Sequence, residues 1–219
     1  MPAALARPSI PLAQGPGVPL HLTQRSEGLA DAGRVIAGTA RSIRLDAPGV
    51  GTRPLADRVK QTLFGILEPD LPGSRFLDLF AGSGAGGIEA LSRGAAHATF
   101  VERDAGAIRV IRANLERTGL GGDDRATVIR SDVLAWLREP ARSGGDPYDL
   151  ALLDPPYDDS HVLGAALEAV AALVSPGGRV VAKHFWRTAP PATVGLLASE
   201  RERRLGDTAL TFYRRVEDA

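Results

Sequence analysis

From Ser74 onward, short apolar runs alternate with stretches whose apolar residues recur at helical spacing. The pattern predicts strands at Arg75 to Phe80, Ala98 to Glu102, Ala126 to Arg130, Leu150 to Leu153 and Arg179 to His184. Helices are predicted between them at Ala85 to Ser92, Ala105 to Thr118, Val133 to Leu137 and Val162 to Val174. A short helix near Thr193 to Ala198 precedes a closing antiparallel pair, Arg201 to Leu205 with Ala209 to Arg214. Such alternation is the signature of repeated βαβ units, so an open, mostly parallel sheet with helices on both faces is expected.

Upstream the pattern differs. Residues 1–33 are rich in Ala, Pro and Gly without a sustained period and read as a flexible tail. Arg34 to Gly38 and Ser42 to Leu45 read as the two strands of a hairpin. Thr52 to Leu67 follows as an amphipathic helix, with Pro54 in its first turn and Leu55, Val59, Leu63 and Ile66 on one face. The domain reading is therefore a tail over 1–33, a hairpin and helix over 34–67, and a main body over 74–219.

Composition narrows the chemistry by exclusion. The chain has 219 residues and no cysteine, so thiolate metal sites, disulfides and cysteine nucleophiles are excluded. The four histidines lack metal-ligand spacing, and no metal is expected. No apolar run approaches the roughly 18 residues of a membrane span, and prolines interrupt the first 30 residues, so a cytoplasmic protein is expected. Twenty-six basic residues balance 26 acidic ones, which excludes a globally basic nucleic-acid binder. The neutrality is nonetheless a sum of unequal parts. Six basic residues, Arg34, Arg41, Arg44, Arg53, Arg58 and Lys60, face only Asp46 and Asp57 in segment 34–60, a local charge of +4. The 33 residues before it balance, so the remainder carries −4. A basic hairpin and helix beside a more acidic body suits a grip on phosphates.

Two motifs carry the candidate chemistry. In Phe76-Leu-Asp-Leu-Phe-Ala-Gly-Ser-Gly-Ala-Gly-Gly-Ile, an apolar strand runs through Gly82, Gly84 and Gly87 into a helix. This G-x-G-x-x-G spacing lets backbone approach a ligand above a helix N-terminus. Glu102, 20 residues beyond Gly82, ends the next strand, where a carboxylate can accept from both ribose hydroxyls of an adenosine cofactor. That much fits a nicotinamide dinucleotide or S-adenosylmethionine. Asp78 favours the second, because it would repel a pyrophosphate and attract an ammonium and sulfonium. Ser131-Asp132 could meet an adenine edge, although Asp132 before Val133 also suits a helix cap. The second motif, Asp154-Pro-Pro-Tyr157, directly follows a strand. It would arise by chance about once in a thousand chains of this length at average composition. Its carboxylate and a free carbonyl can hold both hydrogens of an exocyclic amine, and Tyr157 can stack on an extruded base.

Together these residues resemble a class I S-adenosylmethionine-dependent amino-methyltransferase. More narrowly, Arg34-Val-Ile-Ala-Gly38, Thr52-Arg-Pro54, Asp57-Arg-Val-Lys60, Leu63-Phe64, Asp78 to Gly84, Glu89 to Gly94 and Gly206-Asp-Thr-Ala-Leu210 resemble the RsmD family. The resemblance covers Arg34 to about Arg215. It implies a Rossmann-like seven-stranded sheet and methylation of guanine N2 in bacterial 16S rRNA, on the small subunit or its assembly intermediate. Asp78, Phe80, Ala81, Gly82, Ser83, Gly84, Glu102, Arg103, Asp132 and Val133 would bind S-adenosylmethionine, while Asp154, Pro155 and Tyr157 would handle the base in a monomer. Residues 1–33 extend beyond the family pattern. Leu55-Ala56 replaces a pair that often bears hydroxyls, and Lys183-His184 stands where the family often has an acidic residue. Adenine-N6 DNA methylation and a non-catalytic role in ribosome assembly are the rival readings.

Overall fold

A computed structural model describes residues 30–49, 55–122, 124–139, 146–156 and 160–217. Two strands, β1 (Ala30–Arg34) and β2 (Arg44–Ala47), pair antiparallel as an N-terminal hairpin. Helix α1 (Asp57–Leu67) follows. The body then runs β3 (Arg75–Leu79), α2 (Ala85–Ser92), β4 (His97–Glu102), α3 (Ala105–Thr118), β5 (Ala126–Arg130), α4 (Val133–Leu137), β6 (Tyr148–Leu153), α5 (Ser160–Val170) and β7 (Val174–Phe185). It closes with β8 (Thr193–Val194), β9 (Leu197–Leu205) and β10 (Thr208–Arg215).

The main sheet has the order β5-β4-β3-β6-β7-β10-β9-β8. Strands β3 to β7 are parallel, and β10, β9 and β8 add antiparallel pairs. The sheet thus counts eight strands where seven were expected, because Thr193–Val194 pairs with Leu197 and Ala198 of β9. The helix predicted near Thr193 to Ala198 is this tight hairpin. Gly195 turns the chain with φ +54°, and Val194 and Leu197 bury their side chains as cross-strand partners. The first hairpin strand lies upstream of its expected place: Ala30 to Gly33, read as the end of the tail, belong to β1, and of the predicted Arg34 to Gly38 only Arg34 is strand, the rest forming the connecting loop. Val35 and Ile43 close the connecting loop, with Val35 N–H donating to Ile43 O at 2.9 Å and Ser42 N–H to Val35 O at 2.8 Å.

Alternation along the strands divides the interior into two cores. Phe76, Phe100, Leu150, Leu152 and Val181 point toward the hairpin, α1, α2 and α3. Leu77, Leu79, Val101, Leu153 and Ala182 point toward α4 and α5. Strands buried on both faces read as unbroken apolar runs, which is why they were legible. The hairpin and α1 share the first core with α2 and α3, through Val35, Leu45, Leu63 and Phe64.

Polar contacts fix how the hairpin sits. The buried Glu89 carboxylate of α2 accepts Ile36 N–H at 2.7 Å and Ala37 N–H at 3.0 Å. Ser92 O accepts Thr39 N–H at 2.8 Å, and Ser92 Oγ accepts Ala40 N–H at 3.0 Å. Gly38 makes the approach possible, since a Cβ there would stand 1.8 Å from Ser92 O and φ is +83°. On α3, Asn114 pairs with both backbone groups of Asp46 and donates to Ser83 O at 3.0 Å. One buried side chain thereby ties the hairpin to the glycine loop.

Candidate active site

The strand order reverses between β3 and β6, each having its sequence neighbour on the far side. Ligands in open α/β sheets bind at the carboxyl ends of strands at such a switch point. The two candidate motifs emerge there side by side, the glycine loop from β3 and Asp154 from β6.

At the end of β3, Phe80 adopts φ +60°, a costly conformation for a bulky residue, and turns the chain into the loop. Gly84 N–H closes on Ala81 O at 2.7 Å, and Gly84, at φ +77°, is the residue before α2. Glu102 braces the loop. Its carboxylate accepts Gly82 N–H at 3.0 Å and Asp104 N–H at 2.9 Å, and each oxygen keeps acceptor capacity for a ribose hydroxyl. Asp78 lies buried beneath, accepting Gly87 N–H at 2.7 Å. Burial pushes its pKa up to about 8, against the Gly87 N–H that favours the anion and with repulsion from Asp154 and Glu102 added. An arriving ammonium or sulfonium offsets that cost, so the donor set fits S-adenosylmethionine better than a pyrophosphate. Gly87 packs where a Cβ would meet the Phe100 ring at 2.3 Å, which keeps α2 close to the sheet. Ala81 and Ser83 are buried within the loop, and Arg103 is exposed beyond β4. Asp132 caps α4, its side chain accepting Ala135 N–H at 3.0 Å, and Val133 is buried behind it.

Asp154 follows β6 on the face that also carries Asp78, and Leu153 pairs with Ala182 of β7. The next residue of β7, Lys183, therefore stands beside Asp154, and Lys183 Nζ donates to Asp154 Oδ1. The side chains are 7 % and 17 % exposed, so this is a largely dehydrated pair open toward the site. Burial raises the Asp154 pKa, and the Lys183 charge and hydrogen bond oppose that rise. A cleft of about 310 Å³ adjoins the pair, bounded by Pro155, Pro156, Leu163, Phe185 and Thr188. Tyr157 lies outside the described residues.

Sequence reasoning did not assign Lys183 a role. A signal was available: only Lys60 and Lys183 among 26 basic residues are lysine, and both are buried. Burial also corrects one predicted RNA contact. Lys60 is wholly buried, donating to Arg34 O and pairing with Asp57 at 3.1 Å, so it holds α1 to the hairpin and presents no charge to a phosphate. Arg34, Arg41, Arg44 and Arg58 are exposed. Arg34 lies 3.5 Å from Asp57 and Arg44 2.8 Å from Asp31, while Arg53 lies outside the described residues.

A doubly wound sheet with a glycine loop, an acidic β4 terminus and Asp-Pro-Pro after β6 has the class I methyltransferase fold, which a putative SAM-dependent methyltransferase from Streptococcus mutans shares at a TM-score of 0.67 and 15 % identity, covering 87 % of this chain and 56 % of that one. Residues 33–214 match the family model described as Conserved hypothetical protein 95, and the chain belongs to this RsmD-type family. It is 38 % identical over 185 residues to "Putative rRNA methyltransferase YlbH" of Bacillus subtilis (strain 168), covering 83 % of this chain and 98 % of that protein. It is 39 % identical over 125 residues to Ribosomal RNA small subunit methyltransferase D of Escherichia coli (strain K12), a stretch covering 57 % of this chain and 60 % of that one. Among solved structures, a hypothetical protein from Thermus thermophilus superposes with a TM-score of 0.70 at 35 % identity, covering 84 % of this chain and 99 % of that one.

Proposed function

We propose that this protein transfers a methyl group from S-adenosylmethionine to the exocyclic N2 of a guanine in small-subunit ribosomal RNA. The observation that carries the reading is Asp154, paired with Lys183 and held beside the glycine loop at the switch point, at the head of an Asp-Pro-Pro turn. The relative from Escherichia coli is named for the same RNA.

The cofactor supplies an electrophilic methyl group. This chain supplies alignment. An exocyclic amine is a weak nucleophile because its lone pair is delocalised into the base. Asp154 accepts one N–H and the Pro155 carbonyl the other, so the lone pair is directed at the methyl carbon. Positive charge that grows on the nitrogen as it takes up the methyl group would be stabilised by the Asp154 carboxylate. The nitrogen then loses one proton to solvent. Tyr157 stacks on the extruded base. Asp78, the loop from Phe80 to Gly84, Glu102, Arg103, Asp132 and Val133 bind the cofactor. Arg34, Arg41, Arg44, Arg53 and Arg58 meet phosphates from the hairpin side, in a monomer acting in the cytoplasm on an assembled or partly assembled subunit.

The test offers radiolabelled S-adenosylmethionine with small ribosomal subunits, naked rRNA and duplex DNA. Label enters RNA in wild type and falls at least 100-fold in Asp154→Ala, which still binds the cofactor. Label in DNA alone, or undiminished transfer by the variant, contradicts the reading.

A further inference from the structure

Trp186 reads in sequence as a packing residue, yet its surroundings are not those of a core. It follows β7 directly, is half-buried, and is tied to the β9–β10 turn by its N–H donating to Asp207 O at 3.1 Å. Two guanidinium groups lie over its ring, Arg204 at 3.5 Å and Arg187 at 4.8 Å from the centroid. Both arginines are exposed, and among the described residues neither has a carboxylate within ion-pair distance. Arg204 Nε donates to Gly206 O at 3.0 Å. Of the nearby acids, Glu200 is engaged by Arg179 and Arg214, leaving Glu202 and Asp207 opposite Arg187, Arg201, Arg203 and Arg204. One cation over an indole is sufficient to pin a turn. A second adds like-charge repulsion that an arriving anion would relieve.

Its position gives the cluster a purpose. It stands at the carboxyl end of β7, the end that presents Lys183 to Asp154. Phe185, whose ring centroid is 6.3 Å from that of Trp186, borders the cleft beside Pro155 and Pro156. Moving outward from Asp154, the surface therefore passes from cleft to Phe185, to Trp186, to two guanidinium groups. The N-terminal hairpin, docked on α2 and α3, lies toward the β3–β4 side of Asp154, whereas this cluster lies toward the β10–β9 side. Charge with an aromatic face is the combination that holds single-stranded nucleic acid irrespective of sequence.

We infer that Trp186, Arg187 and Arg204 form a second RNA contact, which grips the single-stranded segment flanking the target guanine, the arginines on phosphates and the indole on a base. The inference rests on the RNA reading above. The test measures binding of the full chain to unmethylated small-subunit rRNA, transcribed in vitro and either bare or assembled into subunits, over a range of salt concentrations. The double variant Arg187→Ala, Arg204→Ala should weaken RNA binding about tenfold, and losing two single-strand phosphate contacts should flatten the slope of log K against log salt by about 1.4. Cofactor affinity and kcat at saturating RNA stay at the wild-type level. Trp186→Leu should weaken RNA binding by a similar factor with the slope unchanged. Wild-type RNA affinity and slope in both variants overturn the inference, as does a Trp186→Leu protein that only loses thermal stability. If the wild-type protein methylates RNA and the double variant binds like it, this contact alone falls. If the wild-type protein methylates no RNA, the underlying reading falls with it.

Discussion

Lys183 shows how one residue can set the working range of a site. Burial raises the Asp154 pKa, and the Lys183 charge holds it down, so the anion needed to accept an N–H persists to lower pH than burial alone would allow. On the proposed mechanism, activity should be lost as pH falls through this pKa. Lys183→Met should therefore move the acid limb of the kcat profile to higher pH, whereas Lys183→Arg should restore most of the wild-type profile; a limb that does not move removes Lys183 from the mechanism. Asp78 has the opposite balance of stability and function. Its folded-state pKa of about 8 lies above its ordinary value, so the folded protein retains a proton that the unfolded chain releases. The stability this group contributes is fully present below about pH 4 and is lost as pH rises to about 8. Asp78→Asn should therefore raise Tm at pH 8 relative to wild type and flatten the fall in Tm between pH 5 and 8, measured without cofactor. The same variant should bind S-adenosylmethionine at least tenfold more weakly, by calorimetry, having lost the charge that faces its cation. At this scale the glycines and Asp78 stand out in one contiguous motif and Asp154 in another, and Glu102 stands out by ending the strand 20 residues beyond Gly82. Lys183 was not, because only strand register places it beside Asp154, 29 positions earlier in the chain.

Among the elements, the hairpin is held through its own backbone groups by side chains of α2 and α3, and sequence periodicity carries no trace of such contacts. Glu89, Ser92 and Asn114 look like ordinary helix residues until their partners are seen. The motif Arg34 to Gly38 therefore has a structural part, since its loop backbone reaches Glu89 and Gly38 must lie against Ser92. Gly38→Ala sets a Cβ against Ser92 O in a left-handed conformation, which should cost about 2–3 kcal/mol in urea unfolding. Stability equal to wild type would show that the hairpin does not dock this way. The central helices matched their predicted limits because their apolar spacing and their caps agree, with Asp104 and Asp132 accepting N–H groups at the starts of α3 and α4. Thr193 to Ala198 was misread because it is short and uncharged, and Val194, Leu196, Leu197 and Ala198 give an apolar run that periodicity cannot assign to helix or strand. Its true form depends on Gly195 and on pairing within the sheet.

For the molecule as a whole, neutral net charge conceals a division of labour. The exposed arginines of the hairpin and α1 lie on one flank of Asp154, and Arg187 and Arg204 lie on the other. Between them the switch point brings the glycine loop, Glu102 and Asp154 together from three strands. On the proposed reading, a chain with no charge excess would hold RNA weakly at random, and selection of one base would depend on docking both flanks at once. The parallel body of the fold could be read from alternation, whereas β8, the hairpin and the arrangement of the flanks depend on strand pairing and on which sheet edge each arginine reaches. The central claim concerns one atom of one base. After reaction with deuteromethyl-labelled S-adenosylmethionine, small-subunit rRNA is digested to nucleosides and analysed by mass spectrometry. The account predicts a labelled methyl on guanine N2 at a single position; label on adenine N6, or on another guanine atom, would contradict it.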